Sequence, residues 1–450
     1  MKKNFAKISP FQVDPEPIEE QFSPGPSDFE RATEAEKEAI VETHRSISYW
    51  RDAWRRFRKN TVSMVALFVF LLLLLFAFIG PMLIPYDYKE QYRESQTLAP
   101  MQYSEAEREY NAIGEDSDGF YATAMAIGGR LKKGNYYFTD SGKTYAFNIP
   151  SSKQSAVLIF RRDSETPLVL REKNRDGVWQ ESLPVETSDT PAEGAKEIKL
   201  ITHIFPHVFG TDESGRDLMA RTMFGARVSI IIGIAAALIV LIIGSVYGAV
   251  SGLKGGVTDF IMMRIVELIY SVPEVLIVLL LQVVLKDPLQ EWFDANKTGF
   301  IGALGDLGVG IVSIFITFAL LYWVTMARIV RGQVLQLKQQ EYVTAAVALG
   351  AGKWRIIRRH LLPNAIGALV ITTCLQIPSA IFLESFLSFL GLGVSAPMAS
   401  LGSLCSDALG SLTLYPYLLI YPAIILTLIV LSLNLIGDGL RDALDPRLKK

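Results

Sequence analysis

The chain has 450 residues, of which 50% are hydrophobic and 20% charged, and its mean hydropathy is +0.28. A composition this apolar is typical of a protein that crosses a membrane several times. The formal net charge of −2 gives no support to nucleic-acid binding. The two cysteines, Cys374 and Cys405, argue against a disulfide framework.

The N-terminal region changes character twice before the first long apolar segment. Residues 1–47 are polar, acidic and rich in proline, which predicts a disordered tail. Residues 48–60, SYWRDAWRRFRKN, mix aromatic residues with arginines, which predicts an interfacial helix that leads into a membrane. Residues 61–86 carry no charge, and 26 residues are enough to cross a bilayer as transmembrane helix 1.

Further apolar segments predict five more membrane spans. They lie at roughly 228–253, 265–285, 307–327, 361–392 and 408–437. The span at 265–285 has the weakest pattern, because Glu267, Pro273 and Glu274 interrupt its start. Lys and Arg are concentrated in the N-terminal flank, in the loop 328–363 and in the C-terminal tail, whereas the short opposite loops contain only Lys286 and Lys297. By the positive-inside rule, both termini and the loop 328–363 are predicted to be cytoplasmic.

The segment between the first two spans is long and has a strand-like pattern. Residues 135–147, NYYFTDSGKTYAF, contain two aromatic runs around Ser141 and Gly142, which predicts a β-hairpin. The runs AVLIF and PLVLRE follow, with turn residues after the second. We expect residues 102–200 to form a small, mainly β extracytoplasmic insertion in an otherwise all-α polytopic membrane protein.

Polar residues inside the predicted spans are candidates for the translocation path, because charged groups are costly in a bilayer. Glu384 either faces a wet cavity or pairs with other groups within the helix bundle. Softer candidates for path-lining or interhelical hydrogen bonds are Gln376, Gln282 and Asn434.

The stretch 207–229, HVFGTDESGRDLMARTMFGARVS, precedes the second span. Thr211 or Asp212 is predicted to cap a helix whose first turn is acidic. Consecutive acids at a helix start favour capping over a metal or acid–base site.

The loop 341–364, EYVTAAVALGAGKWRIIRRHLLPN, is predicted to form two short helices. The first has an apolar stripe at i, i+3, i+4 and i+7, and Gly350 and Gly352 are expected to end it in the left-handed conformation. The second is expected to place Trp354, Ile357 and Leu361 on one face, and Pro363 to start the next membrane helix. Periodicity alone leaves two alternatives open, a helix that rests on lipid headgroups and a helix that docks on another protein.

Three motifs in this sequence resemble those of the dipeptide, oligopeptide and nickel permease family of ABC importers. Residues 344–363 resemble the EAA loop of that family, with Thr344 in place of its glutamate and His360 in place of its isoleucine. The tail 433–450, LNLIGDGLRDALDPRLKK, resembles the C-terminus of the family. The third motif, GTDxxGRD, is represented by Gly210, Thr211, Asp212, Gly215, Arg216 and Asp217.

The resemblance implies the fold of a type I ABC importer permease, of the second, C-like type, with a core at 207–450. It implies that the chain passes di- or oligopeptides from an external binding protein into the cytoplasm by alternating access. The implied partners, in a bacterial cytoplasmic membrane, are a homologous permease subunit in a heterodimer, two cytoplasmic ATPase subunits and an extracytoplasmic solute-binding protein. A nickel-complex permease is an alternative, and a membrane receptor or scaffold that signals through its external domain is another.

The resemblance also assigns the loop 341–363 to coupling with the ATPase subunits. The chain has no phosphate-binding G-x-x-x-x-G-K-[ST] loop. We therefore expect it not to be an enzyme and to hold no metal or other cofactor, with ATP and Mg bound by the partner subunits. The residues implied in coupling are Glu341, Tyr342, Thr344, Ala345, Ala346, Leu349, Gly350, Arg355, His360 and Pro363.

Overall fold

The computed structural model describes residues 49–444, apart from 297–307, 395–397 and several short stretches between 85 and 204. The tail predicted at 1–47 lies outside the described residues. The described helices, in chain order, are α1 Tyr49–Lys59, α2 Thr61–Phe78, α3 Gly80–Leu83, α4 Leu218–Lys254, α5 Gly256–Ser271, α6 Glu274–Ala295, α7 Val309–Leu337, α8 Glu341–Ala348, α9 Lys353–Ile356, α10 Leu362–Asn364, α11 Ile366–Phe389, α12 Leu401–Asp407 and α13 Tyr417–Leu444.

Five of the described helices, α2, α4, α7, α11 and α13, are long and apolar enough to cross a membrane. The number rises to six if α5 and α6 together count as one broken span. The weaker span predicted at 265–285 is divided between these two helices, which meet at an angle of 87°. Pro273 follows Val272, whose backbone is extended (φ −92°, ψ 140°), and a residue before proline is disfavoured in the helical conformation.

The segment between α3 and α4 contains the described strands. They are β1 Phe120–Thr123, β2 Arg130–Leu131, β3 Gly134–Asp140, β4 Lys143–Ile149, β5 Lys153–Gln154, β6 Ala156–Arg161, β7 Leu168–Lys173, β8 Trp179–Pro184, β9 Thr187–Ser188, β10 Lys196–Glu197 and β11 Leu200–Ile201. The larger sheets have the orders β11-β1-β6-β7-β8 and β10-β3-β4-β9. The predicted hairpin is present as β3 and β4, which pair antiparallel through a turn with positive φ at Ser141 and Gly142.

Alternate side chains of the two sheets share one core, as the period of a strand dictates. Phe138 of β3 and Phe160 of β6 meet edge to face with their ring centroids 5.1 Å apart. Aromatic rings in this arrangement bury a large apolar area in a specific geometry. The buried residues of this core are Tyr136, Phe138, Phe147, Ile149, Leu158, Phe160, Leu168, Leu170 and Ile198.

Among the membrane helices, α4 and α7 cross so closely that glycines of α4 contact the backbone of α7. A Cβ atom added at Gly244 would lie 2.6 Å from the Cβ of Met326. One added at Gly248 would lie 2.4 Å from the carbonyl oxygen of Ala327. Gly252, one further turn along, would meet Val334 at 2.9 Å. Small residues at a four-residue spacing allow membrane helices to pack closely, and this crossing therefore requires the glycine at each position.

We predict that Gly248→Ala lowers the thermal stability of the purified protein in detergent. The added methyl group must push α4 away from α7. Gly332→Ala, in α7, is the matched control, because no heavy atom lies within 4 Å of a Cβ added there. Alanine is favoured over glycine in a helix by about 0.8–1.0 kcal/mol, so the control should hold or raise the melting temperature. A Gly248→Ala protein at least as stable as the control would contradict the close crossing.

Candidate functional site

A cavity of about 1020 Å³ lies among α5, the start of α6, α7, α11 and α13. Its wall is mainly apolar, and Ser271, Thr325 and Thr372 add polar groups. Of the four residues predicted for the translocation path, Gln376 and Asn434 lie on this wall. The other two lie elsewhere in the bundle.

Glu384 lies in a closed cluster of serines between α11 and α4. Its side chain is fully buried. Ser229 of α4 donates a hydrogen bond to Oε2 at 2.8 Å, and Ser388 donates one to Oε1 at 2.8 Å. Ser385 donates a further bond at 3.2 Å. A buried polar group is tolerated when its hydrogen bonds are made within the protein, and the structure therefore places Glu384 in interhelical packing rather than on the cavity wall.

Gln282 joins α6 to α7 in a similar way. Its Nε2 donates to the hydroxyl of Thr317 at 3.2 Å, and Ser313 donates to its Oε1 at 2.5 Å. The Gln282 side chain is buried. Both partners belong to α7, so the amide holds α6, the helix after the Pro273 break, against the bundle.

The loop 341–364 begins with α8, the first predicted helix. Val343 is buried against the bundle, in the same cluster as Val334 of α7. Tyr342, Ala345 and Leu349 are exposed, and Leu349 has 88% of its surface accessible. The predicted apolar stripe thus faces away from the protein.

Only one of the two glycines in this loop adopts the left-handed conformation. Gly350 has φ +78° and follows the end of α8, as predicted. The prediction is wrong for Gly352, which has φ −65° and instead precedes α9 as its N-cap.

The second half of the loop differs from a regular helix. Ile357 and Leu361 are buried, but Trp354 is 57% exposed, so the predicted common face is wrong for Trp354. The backbone forms a π-helix at Ile357–Leu361, and its wider turn shifts the side chains relative to an α-helix. Pro363 lies in α10 rather than at the start of the membrane helix, which begins at Ile366.

The remaining coupling candidates lie on the outside of the loop. Glu341 occupies the first turn of α8, and Thr344 is exposed. Ala346 and His360 are half-buried, and the His360 ring centroid lies 6.5 Å from that of Tyr342. Arg355 is exposed.

The residues of the GTDxxGRD motif form a compact turn around one carboxylate. Asp212 accepts hydrogen bonds from the backbone N–H of Ser214 and of Arg216, at 2.8 and 2.9 Å. The same carboxylate binds the side chain of Arg216 at 2.7 Å and that of Arg221 at 2.6 Å. Gly215 within the turn has φ +75°. Asp212 therefore organises the turn and does not cap a helix.

The helix cap predicted at Thr211 or Asp212 is at Asp217. Its carboxylate accepts from the backbone N–H of Ala220 at 2.6 Å, and α4 begins at the next residue. Thr211 instead accepts from the backbone N–H of Leu98 at 2.8 Å. Gly210 has φ +80°, and a Cβ there would lie 2.4 Å from the carbonyl oxygen of Leu98. The motif thus fastens the segment near residue 98 to the start of α4.

A buried histidine adds to this connection between the segment near residue 98 and the start of α4, and we name the whole connection the His207 junction. The Nδ1 of His207 lies 2.7 Å from Asp217 Oδ2, and its Nε2 lies 2.9 Å from Glu107 Oε1. The ring of Tyr86 stacks on the imidazole, with the centroids 4.4 Å apart. With a carboxylate at each nitrogen, the imidazolium can donate both hydrogen bonds.

Protonation of His207 holds the junction together. Burial alone lowers the pKa of His207, but its hydrogen bonds to Asp217 and Glu107 outweigh burial and raise the pKa to about 9. Burial raises the pKa of Glu107, and the hydrogen bond with His207 reverses this and lowers it. Among the described residues, no group of three or more His, Cys, Asp and Glu side chains is arranged to hold a metal ion.

Sequence reasoning missed this junction. His207 lies three residues before the motif, so its position close to the motif is evident from the sequence. Its second partner, Glu107, is 100 residues away in the chain, and no local pattern connects the two.

We predict that Glu384→Cys, in a protein that lacks Cys374 and Cys405, is protected from a small aqueous thiol reagent. The serine cluster leaves no accessible surface at this position. Asn434→Cys in the same background is the matched control and should react, because Asn434 lies on the cavity wall and is exposed. Equal labelling of both cysteines would show that Glu384 faces water.

We predict that the junction loosens as the pH rises. His207 is expected to be protonated in the folded junction up to a pKa of about 9, against an ordinary value of 6.5. Its stabilising contribution should be complete below pH 6.5, decline between 6.5 and 9, and be lost above 9. Hydrogen–deuterium exchange at residues 95–111 and 205–217 should increase over that interval.

His207→Gln is the variant that tests this assignment. It should raise exchange at low pH, because removing one partner of a buried ion pair costs about 3–5 kcal/mol. After correction for the intrinsic exchange rates, exchange at residues 95–111 and 205–217 should also depend less on pH in this variant. A wild-type-like slope in this variant would place the titrating group elsewhere.

Comparison with known proteins supports the resemblance stated for the motifs. Residues 244–450 match the family model described as "Binding-protein-dependent transport system inner membrane component". Residues 48–100 match "N-terminal TM domain of oligopeptide transport permease C". The dipeptide transport system permease protein DppC of Bacillus subtilis is 34% identical over 418 residues, covering 93% of this chain and 92% of the relative.

Two further relatives give the same picture. The oligopeptide transport system permease protein OppC of Bacillus subtilis is 48% identical over 244 residues, which is 54% of this chain and 73% of the relative. The DppC of Lactococcus lactis is 33% identical over 402 residues, covering 89% of this chain and 92% of the relative. The chain therefore belongs to the inner-membrane permease family of binding-protein-dependent ABC importers, in the group that contains the OppC and DppC permeases.

Proposed function

We propose that this permease passes di- or oligopeptides from an external binding protein into the cytoplasm by alternating access. The names of its relatives favour peptides over nickel complexes as the transported substrate, since the three compared above are oligopeptide or dipeptide permeases. The cavity of about 1020 Å³ also suits this cargo. Its mainly apolar wall with scattered hydroxyl and amide groups can contact peptides of varied side chains without requiring one charge.

The proposed topology is that of a type I importer permease with six spans, of which α5 and α6 form one broken span. Both termini and the loop 341–364 lie on the cytoplasmic side, as the distribution of Lys and Arg indicates. The strands between β1 and β11 then lie in an extracytoplasmic insertion, together with the His207 junction. A homologous permease subunit completes the cavity as the other half of a heterodimer.

The loop 341–364 is proposed to dock on one of two cytoplasmic ATPase subunits, which hold ATP and Mg. The exposed apolar residues of the loop carry this proposal. Leu349, Trp354 and Val347 are 88%, 57% and 55% exposed, although Val343, Ile356 and Ile357 anchor the same loop to the bundle. An apolar patch of this kind, held rigidly at the surface, is typical of a protein interface.

Ala345→Arg should abolish peptide uptake while the protein still inserts and assembles with its partner permease. Ala345 is exposed in this chain, so the new side chain meets no clash within the protomer. At the ATPase contact, an unpaired charge would be desolvated at a cost of about 2–5 kcal/mol. The measurements are uptake in proteoliposomes and co-purification of the ATPase subunits.

Ala345→Ser is the matched control, because it keeps a small side chain and should retain both activities. Position 345 is better suited to this test than position 350. Gly350 has φ +78°, and any side chain there is strained whether or not a partner binds. Normal uptake and ATPase binding by Ala345→Arg would refute the docking role.

A further inference from the structure

An ion pair connects α7, which leads into the loop 341–364 (the docking loop), with α5, which lines the cavity. Arg331 of α7 donates two parallel hydrogen bonds to Asp259 of α5, from Nε to Oδ1 at 2.6 Å and from Nη2 to Oδ2 at 2.5 Å. The hydroxyl of Ser251 in α4 also donates to Asp259. Lys338, at the end of α7, donates to the carbonyl oxygen of Gly252 at 3.0 Å.

These contacts surround the corner between α4 and α5. Gly255 and Gly256 form the corner, and both have positive φ. A Cβ added at Gly256 would meet nothing within 4 Å. Two consecutive glycines form a flexible connection, so the angle between α4 and α5 must be fixed by contacts outside the corner itself.

Apolar packing alone is poorly suited to fixing this angle. Val266 of α5 packs against Trp323, Val324 and Ala327 of α7. Such contacts are non-directional and tolerate some sliding and rotation. A guanidinium–carboxylate pair joined by two bonds restricts orientation as well as distance. The Asp259–Arg331 pair is therefore a directional contact between the two helices near the corner, and the guanidinium of Arg328 in α7, 4.4 Å from the ring centroid of Tyr270, is a second one at the far end of α5.

The two ends of this connection lie at functionally distinct places. Arg331 is ten residues before the start of α8, and Val334 of the same helix shares a buried cluster with Val343 of the docking loop. The other end of α5, at Ile269, Tyr270 and Ser271, lies on the cavity wall. A displacement of the loop would reach this wall through α7, the ion pair and α5.

We propose that Asp259 and Arg331 are positioning residues of the transport cycle, which make α5 follow α7 when an ATPase moves the loop 341–364. The proposal rests on the proposed function and adds the route by which a movement of the ATPase subunit displaces the cavity wall. Neither residue lies on the cavity wall or in the loop 341–364, so the loss of the pair should uncouple peptide transport from ATP hydrolysis without removing the site of either activity.

The test uses the assembled complex in proteoliposomes, with binding protein and a peptide. Peptide uptake and binding-protein-stimulated ATP hydrolysis are measured together. Asp259→Asn and Arg331→Gln should keep hydrolysis within about twofold but lower the uptake per ATP by about 5- to 150-fold, the range typical of coupling between sites. Arg331→Lys keeps the charge but loses the two-bond geometry, and should give an intermediate value.

A charge exchange and a control pair complete the set. Asp259→Arg combined with Arg331→Asp should recover part of the lost coupling. Arg264 and Glu267 form a neighbouring pair on α5 at 2.7 Å that is more than half exposed. Arg264→Gln combined with Glu267→Gln should leave coupling unchanged, since exposed pairs of this kind contribute little.

Accessibility of Asn434→Cys to a thiol reagent provides a structural readout. It should change between the ATP-bound and nucleotide-free complexes, and Arg331→Gln should suppress that change. An unchanged uptake-to-ATP ratio in Asp259→Asn and Arg331→Gln would overturn the proposal, as would a parallel loss of both activities. Failure of Arg331→Lys and of the charge exchange to assemble would overturn it too, in favour of a folding role. A wild-type complex that binds no ATPase or transports no peptide would instead refute the proposed function.

Discussion

The crossing of α4 and α7 at backbone distance is the constraint on which the rest of the bundle depends. Within a bilayer, burying an apolar side chain against another helix gains little over leaving it in lipid, so packing contacts decide how helices associate. Gly248 is in contact with the Ala327 carbonyl region, where any side chain would clash. Because α7 continues towards the docking loop and α4 begins at the Asp217 cap, this one crossing fixes the distance between the loop and the His207 junction.

The sequence predicted much of what depends on local pattern and failed most clearly where partners are distant, although the local predictions for Gly352, Trp354 and the cap at Thr211 or Asp212 were also wrong. The existence of five long apolar helices, the hairpin turn at Ser141 and Gly142, and the end of α8 at Gly350 all follow from residues within a few positions. The serine that binds Glu384 from α4 is 155 residues away in the chain, so the choice between cavity and packing had to remain open. The break at Pro273 was visible as an interruption, but its angle depends on packing that no single segment encodes.

Polar groups in the bundle fall into two classes with different physical roles. Glu384 and Gln282 are buried, and each accepts a hydrogen bond from a serine of a neighbouring helix, Ser229 and Ser313 respectively. A buried group without such partners would be strongly destabilising, so these residues fix helix positions. Gln376 and Asn434 lie instead on a cavity wall, where water or a substrate can serve as the partner. Whether partners come from within the chain thus separates structural residues from path candidates better than residue type does.

The same reasoning separates the two interpretations of the docking loop. A helix that rests on lipid headgroups needs a broad face of bulky apolar side chains to enter the acyl boundary. In α8, the outward residues include Ala345 and Ala348, and exposed Gly350 follows. Small side chains expose the backbone to close approach, which gains little from fluid lipid but much from a shaped protein surface. Exposed Leu349 lies among these small residues, exposed Trp354 follows them, and both can fill pockets in such a surface. The mixture of exposed small residues with a few large apolar ones therefore favours a protein partner over the membrane.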